Sequence, residues 1–308
     1  MFFNSVFDME QKELIKRINK LKKEKDAVIL VHNYQRAEIY EVADFLGDSL
    51  ELARAATKAK AKIIVFCGVD FMAESAKILN PEKVVLHPEK LSVCPMAQMV
   101  TVEMVLDAKK RHPKAAVLSY VNTTAEVKAV SDICCTSANA VNVVNSLEED
   151  EIIFTPDKNL AAYVQTQTKK KIIPLEGYCY VHDKIFAEDV KKAKELHPNA
   201  KVMVHPECRM DVIKEADAVC STSQMIKYAK EGFDREFIAV TECGMVNALK
   251  REMPDKKFWA VGGTCIQMKK ITLEKVYDCL LNETNKVEID KGIMDKARKA
   301  LERMLEIS

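Results

Sequence analysis

AVILVHNY (27–34), AAVLSYVN (115–122) and AKVMVHPE (200–207) share one pattern, an apolar run that ends in polar and aromatic residues. Tyr120 lies 88 residues after His32, and His205 lies 85 after Tyr120. The register continues downstream. ADFLGDSLELARAA (43–56), SDICCTSANAVNVV (131–144) and ADAVCSTSQMIKYA (216–229) align Ser49 with Ser137 and Thr222. KIIVFCGVDFMAESAK (62–77), EIIFTPDKNLAAYV (151–164) and EFIAVTECGMVNAL (236–249) superpose Asp70, Asp157 and Glu242. VVLHPEKLSVCPM (84–96), KIIPLEGYCYVH (171–182) and KFWAVGGTCIQM (257–268) bring Cys94, Cys179 and Cys265 together in register. Four segments in one order, three times over, define a repeat.

Within each unit, short β-branched runs alternate with amphipathic stretches, the pattern of βαβ units and a parallel sheet. The expected fold is α/β: three homologous three-layer α/β/α domains with parallel sheets, arranged with pseudo-threefold symmetry around a central active site. The repeats are assigned to residues 1–96 (with an N-terminal helix), 97–182 and 183–268, with helices in 269–308 packing back on the ring. Right-handed crossovers put ligand sites at the carboxyl ends of parallel strands, where the matched polar residues fall. In the N-terminal segment Asp8 is expected to cap a helix, with Gln11 at capping-box spacing and Leu14, Ile15, Ile18 and Leu21 along one face.

With 48% hydrophobic residues, the 308-residue chain is too apolar for disorder and long enough for two or three cores. A net charge of +1 leaves no basic face for nucleic acid. Apolar runs such as AVILV (27–31) and KIIVF (62–66) are strand-length, well short of a membrane span. The N-terminus lacks the pattern of a signal peptide, so a cytoplasmic protein is expected. No GxGxxG or P-loop occurs among the eight glycines, which argues against a dinucleotide or ATP.

Ten scattered cysteines in a reducing compartment do not suggest a disulfide framework. LEGYCYVH (175–182) has no second cysteine within twenty residues of Cys179, so any co-ligands lie one repeat away, at Cys94 and Cys265. These are the only cysteines that share a position in all three units. Three thiolates suit zinc, with His182 as a fourth ligand. They equally suit an iron–sulfur cluster, in which the iron without a cysteine keeps an open position and acts as a Lewis acid. In a strand, residues i and i+2 face one side, so His32 with Tyr34, Tyr120 with Asn122, and His205 with Glu207 offer acid–base groups to one cavity. Ser49, Ser137 and Thr222 precede helical runs, where a hydroxyl caps the helix and the free amides attract anions.

HNYQ (32–35), ADFLGDSL (43–50), GVDFMAE (68–74), CPMA (94–97), YVN (120–122), TSANA (136–140), HPEC (205–208), TECGM (241–245) and CIQMK (265–269) together resemble the quinolinate synthase family, over about residues 25–280. The resemblance implies a pseudo-threefold fold around a [4Fe–4S] cluster held by Cys94, Cys179 and Cys265. It implies condensation of iminosuccinate, supplied by an upstream aspartate-oxidising enzyme, with dihydroxyacetone phosphate to give quinolinate, phosphate and water. Substrate-binding residues carried over by motif are His32, Ser49, Tyr120, Val121, Asn122, Ser137, His205, Pro206, Glu207 and Thr222. Tyr34, Tyr120, His205, Glu207 and His182 are then expected to move protons. The competing readings are an aconitase-like iron–sulfur hydro-lyase and a non-catalytic, metal-stabilised repeat scaffold.

Overall fold

A computed structural model describes residues 2–307, with side chains from residue 9 onward. Strands β1 (Ala27–His32), β2 (Phe45–Gly47), β3 (Ile63–Cys67) and β4 (Val84–Leu86) form one sheet in the order β2-β1-β3-β4. Strands β5 (Ala116–Tyr120), β6 (Ile133–Cys135), β7 (Glu151–Thr155) and β8 (Lys171–Pro174) form a second, ordered β6-β5-β7-β8. Strands β9 (Lys201–Val204), β10 (Ala218–Val219), β11 (Glu236–Val240) and β12 (Lys257–Val261) form a third, ordered β10-β9-β11-β12. Every pairing within these sheets is parallel, and the order is the same three times. Three homologous α/β units are therefore present. All five residues of β3 and all five of β5 are buried, as expected for strands covered by helices on both faces.

The repeat reaches down to single hydrogen bonds. Asp44, Asp132 and Asp217 each accept, at 2.8 Å, the amide of a residue in the first strand of their own unit: Ile29, Val117 and Val202. Each aspartate amide then donates back to the carbonyl of that same strand residue at 2.9 Å. This reciprocal pair fixes where the second strand joins the first. Lys83, Lys170 and Lys256 form a second threefold set. Lys83 donates to Ala59 at the end of helix Ser49–Lys58, Lys170 to Leu147 at the end of Ala140–Ser146, and Lys256 to Ala229 and Gly232 at the end of Thr222–Glu231. A cation on the last carbonyls satisfies orphan acceptors and opposes the negative end of the helix dipole.

Packing divides the chain into two compact units, Met1–Val93 with Ile266–Ile289, and Cys94–Cys265 with Asp290–Ser308. In the first, helix Leu273–Asn282 packs on helix Phe2–Glu24. In the second, helix Lys291–Glu306 packs on helix Ala125–Ala129 and on β6. The C-terminal helices thus serve different units.

Several local expectations need correction. The first helix starts at Phe2, so Asp8 stands inside it and not at its cap; the Asp8 side chain lies outside the described residues. Ser49 and Thr222 are first helical residues, not caps. Asp48 caps the first helix, with Glu51 completing a capping box, and Ser221 caps the other with Gln224. The residue ahead of each hydroxyl has its own acceptor and a Glu or Gln three places on, and that reciprocal pair wins the position. Asn139, not Ser137, occupies the N-cap of helix Ala140–Ser146.

Replacing Asp132 or Asp217 by alanine removes one strand-joining bond in one sheet. Each variant is expected to lose about 1 kcal/mol of stability, and the double variant about the sum, because no bond is shared. Urea unfolding of the four chains checks this.

Candidate active site

The three cysteines follow β4, β8 and β12 in loops whose backbone is tied in a common way. The carbonyl two residues before each cysteine accepts an amide from the turn after the third strand of its own sheet. Ser92 accepts from Asp70 at 2.9 Å, Gly177 from Lys158 at 2.9 Å, and Gly263 from Cys243 at 3.1 Å. Gly177 has to be glycine, since a Cβ there would meet the Pro156 carbonyl at 2.7 Å. All ten cysteines are free thiols, and Cys94, Cys179, Cys243 and Cys265 are the four that are not fully buried.

Around Cys179 the second unit assembles a continuous polar network. His182, three residues on, places Nδ1 3.2 Å from the Cys179 sulfur and 2.9 Å from Glu207 Oε2. Its Nε2 pairs with Thr241 Oγ1 at 2.8 Å. The other Glu207 oxygen accepts a short hydrogen bond from the Tyr120 hydroxyl. The His205 ring stacks on His182 with centroids 4.6 Å apart. Strand ends supply these groups: Tyr120 closes β5, while His205 and Glu207 follow β9. All four are nearly inaccessible, between 1% and 4% exposed. Tyr180 donates to the Cys265 sulfur at 3.6 Å, and Cys94 is close enough to Cys179 for the two thiols to interact electrostatically. Cys179, His182 and Glu207 offer donor atoms within 4.8 Å of one another, a grouping suited to a metal ion.

Electrostatics sorts the acids in this pocket. Burial pushes Glu207 up, but the charge and hydrogen bond of His182, the charge of His205 and the Tyr120 hydroxyl outweigh it and hold the carboxyl at about 2. Asp157 moves the other way: burial, then the negative charge of Glu207, drives it well above the usual carboxylate range, although amides of Leu160, Asn159 and Cys179 oppose this. The two carboxyls are therefore driven apart, Glu207 toward the ionised form and Asp157 toward the protonated one. Burial likewise pushes the Cys179 thiol well up, with the Glu207 charge adding to it. A thiolate here calls for a cationic partner.

The other expected residues lie at strand ends and helix starts. Val121 and Pro206 are buried in strand-end turns, and the Val121 N–H donates to the Cys135 carbonyl at 2.9 Å. Asn122 Oδ1, Asn139 Nδ2 and Thr155 Oγ1 are buried polar atoms with no protein partner. Thr222 heads a helix whose Gln224 donates to the Ala138 carbonyl at 3.2 Å, which ties it to the Ser137 loop. In the first unit, His32 is buried at the end of β1 with its ring edge-on to Tyr34 at 4.8 Å, and Ser49 opens helix Ser49–Lys58. Thr241 was not expected. Its signal was its position, directly after β11 in the TECGM stretch, where a side chain from a third strand end meets the histidine.

An imidazole–carboxylate–phenol chain beside cysteine loops, at the carboxyl ends of repeated parallel sheets, defines an acid–base enzyme with sulfur ligands at hand. The sequence matches the family described as Quinolinate synthetase A protein across residues 16–306. It is 55% identical over 300 residues to the quinolinate synthase of Pyrococcus furiosus, covering 96% of this chain and 98% of that protein. Identity to the Pyrococcus horikoshii enzyme is 54% over 300 residues, with 96% and 99% covered. Identity to quinolinate synthase 1 of Methanosarcina acetivorans is 52% over 301 residues, with 97% and 99% covered. The chain belongs to the quinolinate synthase family.

The division of protons has a measurable consequence. A raised carboxyl contributes stability that is complete below its unfolded value and is lost as pH rises through its folded value. Asp157→Asn keeps the side-chain oxygen that accepts from Asn159 and Leu160 at 2.8 and 2.9 Å, and mimics the protonated acid. The variant should stay folded and lose less stability than the parent as pH rises above the ordinary carboxylate range, in urea unfolding of the metal-free chain at stepped pH. An unchanged slope in that range would assign the proton elsewhere.

Proposed function

We propose that the chain condenses iminosuccinate with dihydroxyacetone phosphate to give quinolinate, phosphate and two waters, with a [4Fe–4S] cluster on Cys94, Cys179 and Cys265. Iminosuccinate is unstable in water and is best supplied by an aspartate-oxidising enzyme in the same compartment, which for this chain is the cytoplasm. No helix among the described residues is long and apolar enough to cross a membrane, in keeping with this. The observation that carries the reading is the chain of contacts Tyr120–Glu207–His182 ending at the Cys179 sulfur. It puts a proton path against a metal ligand, which neither a structural metal nor a scaffold requires.

The donor set fits the cofactor. Three thiols stand outside any disulfide and are partly accessible, the Cys179 thiol needs a cationic neighbour, and buried polar oxygens of Asn122 and Thr155 have no protein partner. A cluster with three cysteine ligands supplies one iron with a vacant coordination position, a Lewis acid for a carboxylate, imine or hydroxyl.

The protein groups then divide the labour. Tyr120, with its phenol on the ionised Glu207, is set to give and recover a proton during enolisation and loss of water. His182 links Glu207 to Thr241 and so holds a fixed orientation against Cys179. His205, stacked on His182, and Tyr34, beside His32, take the remaining proton transfers. Asn122, Ser137 and Thr222, with Ser49 and His32, hold the carboxylates and the phosphate, the free amides of the helix starts at Ser49 and Thr222 favouring anions. Val121 and Pro206 shape the floor.

One observation favours a second reading, a single metal on Cys179, His182 and Glu207. Both His182 nitrogens and both Glu207 oxygens already have hydrogen-bonding partners, which weakens it. An anaerobic assay of iron-loaded protein with both substrates, following pyridine dicarboxylate by absorbance, tests the reaction. Cys179→Ser should abolish the brown colour and the product together, and an active colourless variant would exclude the cluster's role. Tyr120→Phe should keep the colour and lower kcat by roughly 10²-fold or more. One zinc per chain in place of iron and sulfide would select the second reading.

A further inference from the structure

Glu242 sits directly after β11, only 1% exposed, and both of its carboxylate oxygens accept backbone amides. Oε2 accepts from Gly244 at 2.7 Å, within its own turn. Oε1 reaches across to the amide of Cys265 at 3.0 Å. Cys243 adds two further links between the same segments: its amide to the Gly263 carbonyl at 3.1 Å, and its sulfur to Thr264 Oγ1 at 3.1 Å. The turn 242–244 and the loop 263–265 are therefore stitched at three successive residues, with the carboxylate at the cysteine itself.

The equivalent residue of the preceding repeat makes the contrast informative. Asp157 also follows its third strand, and Lys158 makes the same backbone tie to Gly177 that Cys243 makes to Gly263. Yet Asp157 turns Oδ1 back onto its own helix, accepting from Asn159 and Leu160. Glu242 is one methylene longer and opens no such cap, because its helix starts only at Met245. Asp157 divides its carboxyl between that cap and a weaker pull from the Cys179 amide, whereas Glu242 gives Oε1 to the Cys265 amide outright. A buried carboxylate is costly to desolvate and is retained where its hydrogen bonds fix something that matters.

We propose that Glu242 is a positioning residue for Cys265: it holds the backbone of that loop so that the sulfur is presented in one place, independently of the other two cysteines. The proposal rests on the ligand role of Cys265 given above. A bond from a charged acceptor to the ligand's own amide sets both the direction of the Cα–Cβ bond and the hydrogen bonding around the sulfur, two of the levers by which a protein tunes a cluster.

The test compares the parent with Glu242→Ala and Glu242→Gln. In the metal-free chain, iodoacetamide labelling is followed by peptide mass spectrometry, with Cys94 and Cys179 as internal references. In the anaerobically reconstituted protein, cluster release to a chelator and the electron paramagnetic resonance of the reduced cluster are recorded. In the alanine variant, Cys265 labelling and cluster release should each rise on the order of 10-fold, with a shifted resonance, the scale expected when a partner of a metal ligand is lost. Cys94 and Cys179 should label as in the parent. Glutamine, which keeps an oxygen for the Cys265 amide, should restore most of both rates. An unchanged Cys265 rate, an equal rise at all three cysteines, or a glutamine variant no better than alanine would each overturn the proposal. Should alanine prevent folding, Glu242→Asp takes its place, since the side chain is one methylene shorter and draws back from the Cys265 amide. If the parent takes up no iron, the proposed cofactor fails while the labelling pattern still decides the role of Glu242.

Discussion

The backbone tie two residues ahead of each cysteine, from Asp70 to Ser92, Lys158 to Gly177 and Cys243 to Gly263, is the constraint on which the site depends. A loop leaving a parallel sheet has no ladder partner of its own, and its peptide groups need satisfaction by a neighbouring turn. Here the neighbour is always the turn that closes the third strand, so each cysteine inherits its position from the sheet beside it. A sulfur on an untied loop would wander by more than a metal bond tolerates. The same turns carry Asp157 and Glu242, so the groups that shape the electrostatics are placed by the elements that place the sulfurs.

That arrangement explains how buried charge is tolerated next to thiols. Glu207 is drawn toward its charged form because His182, His205 and the Tyr120 hydroxyl surround it, while burial, helped by the Glu207 charge, pushes Asp157 the other way. Thr241 completes the network by engaging the far nitrogen of His182, which fixes the ring that faces Cys179.

Much of this was legible in the sequence because repetition amplifies weak signals. No single strand of three to six residues is convincing, but AVILVHNY, AAVLSYVN and AKVMVHPE in register predict three sheets, and three sheets are found. Tyr120, His205 and Glu207 could be singled out because they sit where the register says strand ends fall, and His182 because it stands three residues after Cys179. What escaped lay in how side chains are used, which the register alone does not show. Glu242 and Asp157 align in sequence, yet Glu242 gives one oxygen to the Cys265 amide while Asp157 spends Oδ1 on the cap of its own helix. Ser49 and Thr222 were misjudged as caps because Asp48 and Ser221, one place earlier, have the partner residues that complete a capping box. The lysines that close helix ends, Lys83, Lys170 and Lys256, repeat as faithfully as the cysteines but look like ordinary surface charge.

The path of the polypeptide between the two compact units has a bearing on how the molecule is made. The first unit needs Leu273–Asn282 to cover helix Phe2–Glu24, and the second needs Lys291–Glu306 to cover helix Ala125–Ala129 and β6. During synthesis from the N-terminus, each nascent body therefore waits with an apolar flank uncovered until nearly the whole chain has left the ribosome. Cofactor delivery would then act best after release, on a finished scaffold, and shortened products would be marked for chaperones or proteases by those bare flanks.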